Sequence, residues 1–288
     1  MESLAPGAVI DAAPVRRPGV VLFALAMGSF AIGTTEFATM SLLPYFSKDL
    51  HIDPATAGHV ISAYALGVVV GAPTIAVLAA RLSRKFLLIL LMLVFGLANG
   101  LSALAPDYNT MLLFRFLSGL PHGAYFGVAA LVAASLVPVQ QRTQAVGRIF
   151  LGLTCATVIG VPLSNWLGQA LGWRWSFALV ALLGVATVAL AARYVPRTPA
   201  DPGSHPLREL GALRRPQVWL TLGTGAIGFG GLFAGDARKR VAHIHDAHIL
   251  GRPVRRRHNA GAGGDDERLV GSGQRARHRR DGAAVDLA

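Results

Sequence analysis

Charge is scarce in this chain. Only 15% of its 288 residues are Asp, Glu, Lys or Arg, against about 25% in a soluble domain. Cysteine is scarcer still: Cys155 is the only one, which excludes an intrachain disulfide. Aromatic residues make up 8%, so the 53% apolar share rests on aliphatic and small side chains. That share is too high for a disordered chain. No phosphate-cradling Gly-Lys-Ser/Thr loop is present to use ATP. No Ser/His/Asp or Cys/His set suggests nucleophilic catalysis, so the chain does not read as an enzyme. The net charge of +12 would suit a nucleic-acid partner. Where that charge lies argues otherwise.

Uncharged runs organise the chain. They cover Pro18–Thr35, Phe37–Ser47, Pro54–Ala80, Phe86–Pro106, Phe116–Gln141, Ile149–Trp173, Trp175–Ala192 and Pro216–Gly235. A helix needs about 20 mostly apolar residues to cross a bilayer. A chain this short has no core that could hold so many such helices. The runs predict an all-α polytopic membrane protein with spans at Val20–Leu43, Thr56–Ala80, Phe86–Ala105, Thr110–Val137, Gln144–Leu171, Trp175–Tyr194 and Val218–Ala234. The first is not a cleavable signal peptide: 17 residues precede it and further apolar helices follow at once.

Lys and Arg concentrate on the cytoplasmic side of membrane proteins. Up to Ala234 the chain has 15 Lys and Arg; with the N-terminus inside, twelve of these fall in cytoplasmic segments, among them Arg16, Arg81, Arg142 and Arg193. Only Lys48 and Arg174 fall on the other side, and Arg115 lies within a span. The expected layout is a cytoplasmic N-terminus over residues 1–17, a six-helix bundle over 18–194, a proline-rich cytoplasmic loop over 195–216, a seventh helix over 217–234 and a polar tail over 235–288.

Composition changes abruptly at Gly235. The tail holds 12 Lys/Arg, seven Asp/Glu, five His and no Phe, Tyr, Trp or Met. Three readings stand open: a disordered basic tail, a nucleic-acid arm, and the product of a shifted reading frame in a GC-rich gene. Seven acids and the lack of stacking aromatics count against the second. His243, His245 and His248 have a metal-like spacing, which the third reading makes accidental; no metal site is expected.

Few residues within the spans can carry chemistry. Glu36 is the only acid inside the first six spans. An ionisable group at membrane depth is costly and usually faces the bundle interior or a water-filled cavity. Burial disfavours its charged form, so it suits a proton carrier; the alternative is a protonated Glu bonded to a neighbouring helix. Arg115 lies inside the fourth span and stays charged, so it needs a carboxylate, helix carbonyls or water, unless it snorkels to the interface. His122, two turns deeper on the same helix, reads as a neutral His bonded within the bundle. Gly67/Gly71, Gly96/Gly100, Gly119/Gly123, Gly123/Gly127 and Gly168/Gly172 repeat the small-xxx-small spacing that lets helices approach closely in lipid. Pro162 should kink the fifth span, where Gly152, Gly160 and Gly168 keep nearly one face.

These residues, in this order, resemble the major facilitator superfamily. More narrowly, they resemble its twelve-helix drug:proton antiporter branch, which includes chloramphenicol-resistance and arabinose-efflux-like proteins. Gly33-Thr34-Thr35-Glu36-Phe37, leading to Leu42-Leu43-Pro44, carries the likeness, as does Ser62-Ala63-Tyr64-Ala65-Leu66-Gly67 running to Gly71-Ala72-Pro73. The loop from Ala76 to Lys85 matches the family's gating loop at Leu78, Ala79, Arg81, Arg84 and Lys85. Its acidic position is Ala80 and its second glycine is Ser83. Arg115 with Gly119 and Gly123 matches the fourth-helix arginine motif, and Gly152, Gly160, Pro162 and Gly168 the fifth-helix antiporter motif. Gly172-Trp173-Arg174-Trp175 and Phe177 match the entry to the sixth helix.

The resemblance implies a six-helix bundle made of two inverted three-helix repeats, then the truncated start of a second bundle. It implies efflux of a small compound across a bacterial inner membrane by alternating access, with the proton gradient as driving force and no cofactor. Glu36 and Arg115 would serve proton coupling; Arg81, Arg84 and Lys85 would form the cytoplasmic gate. The alternatives are a transport-inactive fragment of such a protein and, remotely, a membrane-anchored nucleic-acid binder using the tail.

The charge asymmetry makes a testable statement. In a Cys155→Ser background, a cysteine at Asp49 should react with an impermeant thiol reagent outside intact cells and one at Ser83 should not. Labelling of the Ser83 position from outside would reverse the orientation.

Overall fold

A computed structural model describes residues 17–79, 81–197 and 215–228. The N-terminal segment through residue 16, most of the central loop and everything from residue 229, including the tail and its three histidines, lie outside the described residues.

In a bilayer no water is present to bond exposed backbone groups, so a spanning segment must satisfy them internally. The apolar runs therefore become helices: α1 (Pro18–Asp49), α2 (Pro54–Leu78), α3 (Arg84–Ala103), α4 (Tyr108–Ser135), α5 (Arg142–Cys155), α6 (Val161–Ala170) and α7 (Trp173–Tyr194). A π turn, Ala156–Gly160, joins α5 to α6, so that Val139–Ala170 is one continuous span. Among the described residues six segments are long and apolar enough to cross a membrane. Polar residues that interrupt the runs become caps. Asp53 accepts from the amides of Ala55 and Thr56 at 2.9 and 3.0 Å. The Thr56 hydroxyl also donates to it, and these bonds hold its carboxyl below the usual carboxylate range. Asp107 and Thr110 form a reciprocal capping box on α4.

The first helix runs past its expected end at Leu43, through Pro44, to Asp49. Tertiary contacts hold this extension. Phe46 meets the Trp173 ring edge-on at 6.0 Å, and the Ser47 hydroxyl donates to the Ile52 carbonyl at 2.7 Å. Asp49 pairs with Arg174 and accepts from Trp173 Nε1 at 3.0 Å, while Arg174 also donates to the Ala105 carbonyl at 3.0 Å. One end of α1 is thereby fixed to the start of α7.

The kink expected at Pro162 takes a specific form. Proline cannot donate to the carbonyl four residues back and crowds it. The chain widens instead to a π turn just before it, with the Val161 amide donating to the Ala156 carbonyl.

The packing is paired. The second span lies on the fourth, the first on the fifth, and the third on the sixth, with further contacts of third on fourth and first on sixth. Exchanging spans one, two and three for four, five and six turns each of these pairings into another or leaves it unchanged. Alternate spans cross in opposite directions, so the exchange relates two inverted three-helix units. Glycines set the separations. A Cβ on Gly67 would run into the Phe116 carbonyl, one on Gly71 into the Leu120 carbonyl and one on Gly119 into the Tyr64 carbonyl. Gly152 meets the Ala26 carbonyl, and Gly184 places its missing Cβ 2.9 Å from Gly96 Cα. A further helix covers 216–228, overlapping the expected seventh span at Val218–Ala234.

These contacts predict opposite signs at two glycines of similar sequence context. Gly71→Ala should destabilise by about 1–3 kcal/mol through overpacking. Gly127→Ala, with nothing within 4 Å, should be neutral or gain up to about 1 kcal/mol of helix propensity. Thermal unfolding in detergent reads both; equal responses would show that close approach at Gly71 does not hold the pair together.

Candidate functional site

Arg115 is brought into the bundle interior. It sits two turns into α4 and is 1% exposed, which excludes snorkelling to the interface. Its Nη1 donates to Thr35 Oγ1 at 3.1 Å and to Asn99 Oδ1 at 3.4 Å. Thr35 in turn donates to Asn99 Oδ1 at 2.9 Å, and the Asn99 amide donates to the Phe95 carbonyl at 2.9 Å, which fixes which way the amide faces. The guanidinium carbon lies 4.4 Å from the Tyr64 ring centroid and 5.4 Å from that of Phe177. The cation is therefore solvated by dipoles and ring faces rather than by a counter-ion. Its Nε has no hydrogen-bond partner.

Tyr64 extends the cluster. Its hydroxyl shares a 2.8 Å hydrogen bond with His122 Nδ1, and the two rings lie edge to face at 5.8 Å. His122 is bonded within the bundle, as its position on α4 suggested. Tyr64 is held over Arg115 because Gly119, one turn beyond Arg115, lets α2 approach.

Glu36 follows Thr35 on α1 and is half-buried. No hydrogen bond or ion pair reaches it among the described residues; the only ion pair there is Asp49 with Arg174. Its neighbour Thr35 accepts from Arg115, which places Glu36 next to the residues that hold the cation. The arrangement thus sets one ionisable acid beside a fixed, internally solvated cation.

The other expected residues lie apart from this cluster. Arg81 is exposed in the turn after α2, and Arg84 opens α3. Lys85 donates to the Ala192 carbonyl at 2.7 Å, one of the last-turn carbonyls of α7 that lack a helical partner. Gly152 and Gly160 lie against Ala26 and Thr34, and Gly168 against Leu42, all on α1; Pro162 follows the π turn. The fifth-helix motif therefore tracks the first helix, three turns of it.

Asn99, Tyr64 and Phe177 were not anticipated as partners of Arg115. Asn99 had a signal: an amide between Gly96 and Gly100 in an otherwise apolar helix. Tyr64 and Phe177 had none beyond their type, because a ring on an apolar helix packs anywhere.

A family profile described as Major Facilitator Superfamily matches residues 25–237. The inner membrane transport protein YdhP of Escherichia coli (strain K12) is 46% identical over 212 residues, 74% of this chain and 54% of that protein. The chloramphenicol resistance protein of Streptomyces lividans is 35% identical over 210 residues, 72% of this chain and 54% of the relative. The chain spans about half the length of these curated relatives. A bacterial homologue of the human lysosomal transporter Spinster, inward-facing and unoccupied, shares the fold with a TM-score of 0.56 and 22% identity, over 75% of this chain and 53% of that one.

The cluster makes Asn99 costly to replace. Asn99→Leu removes one acceptor from a buried cation and should destabilise by about 1–3 kcal/mol, while the conservative Thr35→Ser should cost far less. Thermal unfolding of both variants checks this; a stable Asn99→Leu protein would mean that the rings alone suffice to hold Arg115.

Proposed function

We propose, for a chain that belongs to the Major Facilitator Superfamily, that its function is proton-coupled efflux of a small compound across a bacterial inner membrane by alternating access. The observation that carries the coupling is the site itself: a half-buried acid, Glu36, unpaired beside Arg115. A group that loads a proton on one side and releases it on the other needs its proton affinity to change with access to water and with the nearby cation. Arg115 supplies a permanent charge that needs no acid of its own. Glu36 then remains free to exchange its proton.

Arg81, Arg84 and Lys85 are read as the cytoplasmic gate. Gly152, Gly160 and Gly168 form a surface on which the fifth span can shift along the first, and Pro162 follows the π turn within it. The N-terminus and residues 195–216 are taken as cytoplasmic. The names of two relatives, a chloramphenicol resistance protein and a probable sugar efflux transporter, support the direction of transport. A second reading, a transport-inactive half of such a protein, is supported by the half-length match to those relatives.

Proteoliposomes with an imposed pH gradient test this, with chloramphenicol as the probe. The wild-type chain should move the probe uphill. Glu36→Gln, which keeps size and hydrogen bonding but cannot ionise, should abolish uphill movement by at least about tenfold, with the protein still folded and inserted. Undiminished uphill transport by the Gln variant would make Glu36 structural. No movement by the wild type would favour the second reading.

A further inference from the structure

A cavity of about 480 Å³ opens between the first and fifth spans, lined by Leu22, Phe23, Met27 and Phe30 of α1 and by Arg148 and Leu151 of α5. Its size is that of a small-molecule site. Gly19 lines one end of it, so it begins at the end of the bundle where α1 starts. At the other end lie Phe30 and Cys155. On α1 that is six residues before Glu36, about 9 Å of helix rise. The walls are apolar, and Arg148, the only charged residue among them, is exposed. Its side chain has no hydrogen bond, ion pair or ring contact among the described residues. Gly152 makes the cavity floor: only a residue without a Cβ lets α5 lie against the Ala26 carbonyl there.

We propose that this cavity is a binding site for amphipathic anions, with an alkyl chain along Leu22, Phe23, Met27 and Phe30 and a carboxylate or phosphate on Arg148. Each part of the site selects one part of such a molecule. The apolar walls favour removal of alkyl surface from water. An unpaired guanidinium presents a planar fork of donors matched to carboxylate and phosphate oxygens. A cationic amphiphile meets like charge at the same point. A neutral one leaves the guanidinium without a partner. The chain of a bound molecule would end near the level of Glu36, so its occupancy would be felt where the proton is exchanged. This deepens the transport reading, on which it rests, by naming the class of compound carried.

Cys155 is a built-in reporter, being exposed, at the cavity wall and the only cysteine of the chain. The full chain in phosphatidylcholine nanodiscs would be treated with a thiol-reactive dye, and the rate of Cys155 modification measured. Dodecanoate and dodecyl phosphate should slow it at least about tenfold, and dodecyltrimethylammonium and dodecanol should not. Arg148→Gln should remove the protection, and Arg148→Glu should transfer it to the ammonium compound. Both changes are at an exposed position and spare the fold. Nanodiscs containing phosphatidylglycerol distinguish the source of the anion: protection there without added amphiphile, lost in Arg148→Gln, assigns the site to a bilayer lipid headgroup, whereas protection only on adding dodecanoate assigns it to a free amphiphile. Equal protection by all four compounds, no protection by any, or protection that survives Arg148→Gln would overturn the proposal. The labelling needs no transport, so a protein that binds anions yet ignores the pH gradient, or the reverse, separates failure here from failure of the transport reading.

Discussion

Close approach of helix backbones is the constraint from which the rest of this bundle follows. Lipid tails are as apolar as leucine, so burial of side chains gives little drive for one spanning helix to meet another. Contact must come from dispersion and from short separations. Gly67, Gly71 and Gly119 provide these between α2 and α4, Gly152 and Gly160 between α1 and the fifth span, and Gly96 and Gly184 between α3 and α7. The site depends on the first of these contacts. With α2 seated against Gly119, Tyr64 lies over the Arg115 guanidinium and reaches His122. A wider separation would leave the cation without its ring.

Arg115 is buried without a carboxylate partner among the described residues. A charge taken out of water is costly, and a carboxylate is the usual remedy. Here Thr35, Asn99, Tyr64 and Phe177 share that work, and all are neutral. A neutral cage holds the cation without an ion pair to Glu36.

The two least buried spans are the second and the fifth, the two that the internal exchange relates. Their exposed residues include Leu66 and Val69 on one and Leu151, Val158 and Ile159 on the other. The cavity beside Arg148 belongs to the second of these faces. The same glycine that seats the fifth span on the first also lines that cavity.

The number and order of the first six spans were determined by the sequence alone, because the cost of a charge in hydrocarbon is large and local: where charges are missing, helices cross. Asp53, Ser83 and Asp107, which punctuate the runs, became caps for the same local reason. Glu36 stood out as the only acid in the first six spans, and Arg115 as an arginine inside the fourth. What only the tertiary structure decided is who meets whom. Apolar helices carry almost no code for partner choice, so the pairing of spans, the extension of α1 through Pro44 and the π turn before Pro162 needed the packed bundle. So did the cage around Arg115, whose members come from α1, α2, α3 and α7, up to 80 residues away in the chain. The cost of burying a charge is written in one residue; the means of meeting that cost is spread over four helices that the sequence does not visibly connect.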